Sequence, residues 1–165
     1  MSFTVGSGGG SQQLLLNPGF ESGNVSWTAS TSVITSSTSE AAHSGSWKAW
    51  LDGYGTTHTD TLYQQVTIPS TATSATLTFW LHIDTAETTT TTAYDTLQVQ
   101  IRNSSGTLLA TLATYSNLNA GTGYTQKSFN LLSYKGQTIR VYLTGSEDSV
   151  KQTSFVVDDF ALNVQ

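Results

Sequence analysis

The chain of 165 residues carries 11 Asp and Glu against 6 Lys and Arg, a formal charge of −5, and no cysteine. That balance leaves no cationic footprint for nucleic acid and no thiol for catalysis, disulfides or thiolate metal sites, and no run approaches the roughly 18 apolar residues of a membrane span. Its 29 Thr and 22 Ser argue against helical bundles, since both are poor helix formers and Thr favours strands, while 4 Trp, 7 Tyr and 6 Phe supply bulk for one packed domain.

Residues 1–12 include a Gly/Ser run and read as a flexible linker, natural or engineered, ahead of a single domain over 13–165. A first strand is expected near 13–17, ended by the turn residues Asn17-Pro18-Gly19, and further strands near 25–35 and 46–52. Leu62, Val66 and Ile68 alternate along a strand closed by Pro69, and Leu77, Phe79, Leu81 and Ile83 form an unbroken apolar face on the next. A polar loop at Thr88–Thr92 leads to Leu97, Val99 and Ile101, then the Asn103–Gly106 turn and a strand near 107–115. Asn119-Ala120-Gly121 and Lys135-Gly136 bracket a strand near 125–132, with Ile139, Val141 and Leu143 and a final strand over 153–164 completing the chain. About ten short strands with one-sided burial predict an all-β fold, a two-sheet antiparallel β-sandwich of jelly-roll type.

Alternation also names the residues opposite the core. If Leu77, Phe79, Leu81 and Ile83 point inward, then Thr78, Trp80, His82 and Asp84 point outward. The same parity puts Gln98, Gln100 and Arg102 outside on one strand, Arg140 and Tyr142 on another, and Lys48, Trp50 and Asp52 on a third. Aromatic rings flanked by planar polar groups suit a sugar, the rings stacking on its C–H faces and the polar groups bonding its hydroxyls. The candidate ligand residues are therefore Trp80, His82, Trp50, Gln98, Gln100, Arg140 and Tyr142. The competing reading has these rings covered by long loops as a satellite core.

Two sets of acids stand out. Glu21 near the start and Asp158 and Asp159 near the end lie where terminal strands of a sandwich meet, an arrangement that suits Ca²⁺. Asp84, Glu87, Asp95, Glu147 and Asp148, at strand ends or in loops, are a possible second site. Catalysis has weaker support: there is no GxSxG elbow, no HExxH, and no GK[ST] after the glycine run. An Asp84–Asp95 pair for glycoside hydrolysis remains a geometric question. The expected protein is not an enzyme. Its Ser, Thr, Gly and Asn content leans towards an extracellular setting, and it is expected as a monomer.

LLLNPGFESG (14–23), Trp27, AHSGSWKAWLDG (42–53) and FVVDDFAL (155–162) resemble the jelly-roll carbohydrate-binding-module superfamily. YQQVTIP (63–69), FWLHIDTAET (79–88), AYDTLQVQI (93–101), LATYSNLN (112–119) and GSEDSVKQTSFVVDD (145–159) look closest to the C-terminal ancillary domain of bacterial secreted peptidases of sedolisin/kumamolisin type. The resemblance implies a non-catalytic, secreted module that binds a polysaccharide or the protein substrate of a parent enzyme, or else stabilises and positions that enzyme without a small ligand. It also implies a structural Ca²⁺ held by Glu21, the Gly19 carbonyl, carbonyls within 43–48, and Asp158 or Asp159.

Overall fold

The computed structural model describes residues 11–165; the Gly/Ser run expected to be a linker lies outside the described residues except at its end, where Gln12 already pairs with Val164. Eleven strands follow in chain order: β1 (Gln12–Gln13), β2 (Thr28–Ala29), β3 (Ile34–Thr35), β4 (Lys48–Asp52), β5 (His58–Thr67), β6 (Ala75–Thr85), β7 (Thr96–Asn103), β8 (Leu108–Ser116), β9 (Thr125–Asn130), β10 (Thr138–Glu147) and β11 (Thr153–Val164). They form two antiparallel sheets. One runs β3-β4-β11-β6-β9, with β1 also paired to β11, and the other runs β2-β5-β10-β7-β8.

The alternation of apolar residues explains why the sheets face one another. Leu77, Phe79, Leu81 and Ile83 of β6 and Phe155 and Val157 of β11 meet Leu97, Val99 and Ile101 of β7 and Ile139, Val141 and Leu143 of β10, all at most 4% exposed. At one end Phe20, Trp27, Phe79 and Phe160 interlock with ring centroids 4.9–5.9 Å apart. Phe160 reaches this knot because β11 is bulged against β6 between Asp158 and Ala161, with Asp159 at φ 49°. The extra residue switches the inward set from 155 and 157 to 160, 162 and 164.

Two expected strands are corrected. Most of 13–17 is not strand: after Leu14 N–H bonds the Leu162 carbonyl, the chain crosses to the other sheet, where Gln64 bonds both the N–H and the C=O of Leu16. The stretch 25–35 splits into β2 and β3, one in each sheet, with Ser32 at positive φ turning the chain between them and Ser26 at positive φ ahead of β2.

Candidate functional site

The seven expected ligand residues do not share one surface. Trp50, Trp80 and His82 lie on the outer face of the six-stranded sheet, whereas Gln98, Gln100, Arg140 and Tyr142 lie on the outer face of the five-stranded sheet. This corrects the expectation of a single platform, and the reason is topological: β4 and β6 pair with β11, while β7 and β10 pair with each other.

The loop leading into β4 covers the outer face of the six-stranded sheet. His43 stacks on Trp80 with centroids 4.2 Å apart and planes 15° from parallel, and Tyr124 packs edge-on against His43 while donating to the Ala41 carbonyl at 2.6 Å. His82 bonds the Gly121 carbonyl through Nε2 at 3.0 Å. Lys48, expected outside, is 1% exposed: its ammonium donates to the Ser37 carbonyl, with Glu40 and Asp158 supplying opposite charge. Trp50 is different. Its indole N–H donates to Ser154 Oγ at 2.9 Å, and it borders a cavity of about 290 Å³ together with Ser32, Thr35, Ser37, Asp52, Gly53 and Tyr54.

The outer face of the five-stranded sheet carries an ordered polar and aromatic array. Tyr63 of β5 and Tyr142 of β10 sit directly opposite in register and stack at 5.2 Å, 9° from parallel. The Arg102 guanidinium lies 3.8 Å from the Tyr142 ring centroid, and that of Arg140 lies 4.6 Å from Tyr63. Each guanidinium is held in place. Arg102 donates to Gln100 Oε1 at 2.9 Å, and Arg140 donates to Gln65 Oε1 and to the Ser104 carbonyl. Gln100, expected as an exposed donor, is 4% exposed; it bridges Arg102 to Gln98 and acts as a brace beneath the surface. Sequence reading left Tyr63 and Gln65 out of this face although their parity, opposite Leu62, marks them as outward. Arg102 was read as outward but not as a candidate.

The acids regroup as well. Glu21 and Asp159 converge on the loop at 43–47: Glu21 accepts from the Ser46 and Trp47 amides, and Asp159 Oδ2 accepts from Ser44 Oγ and bonds His43 Nδ1, each at 2.6 Å. A Cβ at Gly45 (φ +64°) would stand 2.4 Å from the Glu21 carboxylate, and one at Gly19 would stand 3.1 Å from Asp159 Oδ1. Asp158 meets the same loop from beneath, fully buried, accepting from the His43, Ser44 and Asp159 amides; burial pushes its carboxyl up to about 6 against those amides. The bulge thus separates two adjacent aspartates that alternation could not tell apart. The carboxylate oxygens of Glu21 and Asp159 are ligands of the kind a hard cation takes, and in this structure they meet the amides, hydroxyl and imidazole of the 43–47 loop.

The second expected set divides. Glu87, Asp95 and Asp148 place ligand atoms within 4.8 Å of one another, a group that could hold a metal ion. Asp84 is exposed and lies beside Glu40, and Glu147 accepts from the Tyr54, Gly55 and Thr153 amides elsewhere. Asp95 is fully buried, bonded to Thr153 Oγ1 and the Asp148 amide, so it does not flank a cleft opposite Asp84. A further metal-compatible group, Asp52, His58 and Asp60, went unforeseen because Asp52 was expected on the outer face.

No protein-family model and no curated protein matches the sequence. Solved structures do match in fold. A CBM61 domain in complex with β-1,4-galactotriose aligns with a TM-score of 0.66 at 20% identity, over 94% of this chain and 100% of that one. The CBM22-1 xylan-binding domain from Paenibacillus barcinonensis aligns at 0.52 and 15%, over 92% and 94%. The K3 adhesin domain of Lys-gingipain from Porphyromonas gingivalis aligns at 0.58 and 16%, over 90% and 98%. At these identities the likeness is one of fold. The chain is an antiparallel jelly-roll β-sandwich similar in fold to carbohydrate-binding modules.

Proposed function

We propose that the chain is a non-catalytic carbohydrate-binding module of a secreted bacterial enzyme, holding a polysaccharide on the outer face of its five-stranded sheet. The observation that carries this reading is the Tyr63–Tyr142 stack braced by Arg102 and Arg140. The rings are packed face to face, so the stack presents ring edges, two phenolic hydroxyls, guanidinium N–H groups and the amides of Gln98 and Gln65. Hydrogen bonds already fix both arginines, which lowers the ordering cost of binding a chain of sugar hydroxyls. Trp80 has no part in it, since His43 occupies a face of its ring. The similar folds support the reading through the galactotriose and xylan named for two of them and the adhesin domain named for a third. A structural Ca²⁺ belongs to this proposal, held by Glu21, Asp159 and backbone carbonyls at Gly19 and within 43–47.

A second location is favoured by one observation: Trp50 and Tyr54 border the cavity of about 290 Å³ alongside three hydroxyl side chains, a concave setting for a sugar ring. Retention on β-1,4-galactan, xylan and denatured protein, compared for the parent, Tyr142→Ala, Arg140→Ala and Trp50→Ala chains, decides between them. Loss of a contact residue should weaken binding by about 1–3 kcal/mol, roughly tenfold or more. Loss in Tyr142→Ala and Arg140→Ala, with Trp50→Ala unaffected, is the expected result, and the reverse moves the site to the cavity. Retention on denatured protein alone points to substrate targeting, and retention on nothing makes the domain a structural appendage.

A further inference from the structure

Between the sheets, at the end where β4, β5 and β10 meet, four carboxylates are buried: Asp52 (4% exposed), Asp60 (2%), Glu147 (4%) and Asp95 (0%). Two of the four have their oxygens satisfied away from Asp52. Glu147 takes the Tyr54, Gly55 and Thr153 amides, and Asp95 takes Thr153 Oγ1 and the Asp148 amide. Asp60 accepts from the Asp52 amide at 2.8 Å and bonds His58 Nε2 at 2.8 Å. Asp52 is the exception: neither of its carboxylate oxygens has a hydrogen-bond partner among the described residues, and both are sealed from solvent.

Parity would have sent Asp52 outward with Lys48 and Trp50. Instead a positive φ of 63° turns it inward, where its Oδ2 occupies space open only because residue 145 is glycine; a Cβ there would stand 2.6 Å away. One ligand atom each from Asp52, His58 and Asp60 lies within 4.8 Å of the others. The Tyr54 ring covers His58 with centroids 4.0 Å apart.

A buried carboxylate with no donor costs several kcal/mol unless something positive meets it, and among the described residues no Lys or Arg forms an ion pair here. We infer that Asp52, Asp60 and His58 form a binding site for a divalent transition-metal ion of the zinc type, joining β4 to β5 across the two sheets. The imidazole is what selects the metal: two carboxylates alone would suit Ca²⁺ or Mg²⁺, whereas one nitrogen with two oxygens suits Zn²⁺, leaving a fourth position for water. Without a metal, burial and the carboxylates of Glu147, Asp60 and Asp95 push Asp52 up to about 8, so the competing occupant of the site is a proton. This site is separate from the Glu21–Asp159 region and does not depend on the sugar proposal.

The test is thermal unfolding of the metal-stripped chain with saturating Ca²⁺, then with added Zn²⁺, and calorimetry for stoichiometry. The parent should bind one Zn²⁺ per chain and gain about 5–10 °C in midpoint at free zinc a hundred times its dissociation constant. Asp52→Asn, which keeps the shape and tolerates positive φ, should abolish the zinc response, and so should His58→Gln at a half-exposed position. His43→Ala removes the other histidine–aspartate pair and should retain it. No zinc response in the parent, or a response that survives in both Asp52→Asn and His58→Gln, overturns the site. A Ca²⁺ response that disappears in those same two variants overturns the choice of metal.

Discussion

Glu40 lies under the loop that leads into β4, 7% exposed, facing Asp84 and His82 of β6 and Lys48 of β4; His82 Nδ1 is 3.9 Å from its carboxylate. Burial, then the Asp84 carboxyl beside it, push it from its ordinary 4.5 up to about 7, with Lys48 pulling the other way. Between those two values the folded protein holds a proton that the unfolded chain has released. The contribution of Glu40 is therefore complete below about pH 4.5 and is lost as the pH rises through 7, on the order of 1–3 kcal/mol. Denaturant unfolding of Glu40→Gln against the parent from pH 5 to 8 should show a flatter profile for the variant; parallel profiles would assign the slope to another group.

At the scale of elements, the outer face of the six-stranded sheet behaves as a second, polar core. The loop over 36–47 takes its position from contacts with three strands: Lys48 on β4, Trp80 on β6, and Asp158 on β11. A flat aromatic in mid-strand suits either a sugar platform or a ring covered by a loop, and in the structure His43 of the 36–47 loop stacks on Trp80. Trp80→Ala should therefore lower stability by about 1–3 kcal/mol, through the lost stacking and the half-buried surface, while leaving retention on galactan unchanged. A variant as stable as the parent that no longer binds would return Trp80 to the ligand site.

Across the whole molecule, the segment Asn17–Glu21 and the end of β11 are brought together at the bulge, where Phe160 N–H bonds the Pro18 carbonyl at 3.0 Å. A calcium ion bound at Glu21 and Asp159 would clasp the two ends of the described chain. Chelator should then lower the unfolding midpoint and added Ca²⁺ restore it, with Glu21→Gln insensitive to both. An unchanged midpoint in the parent would remove calcium from the account.

The alternation of apolar residues by itself determined β4, β5, β6, β7 and β10 with their inward sets and, with the turn residues between strands, the two-sheet class, because a side-chain period of two is a property of any extended chain with one buried face. It equally marked Tyr142, Arg140 and Gln98 as outward. What it did not contain was which outward residues share a sheet. That depends on strand order, so Trp80 and Tyr142 looked alike in sequence and lie on opposite faces. Exposure was likewise undetermined, since the 36–47 loop buries Lys48 and Asp158 while, among the described residues, Tyr63 and Tyr142 stay part-exposed. Two local departures from regular backbone decided the rest. The bulge at Asp158–Ala161 resets parity and parts the two aspartates, and positive φ at Asp52 turns an outward residue into the space between the sheets. Both are held by tertiary contacts, Phe160 in its aromatic knot and Asp52 against Gly145, which no period along the chain encodes.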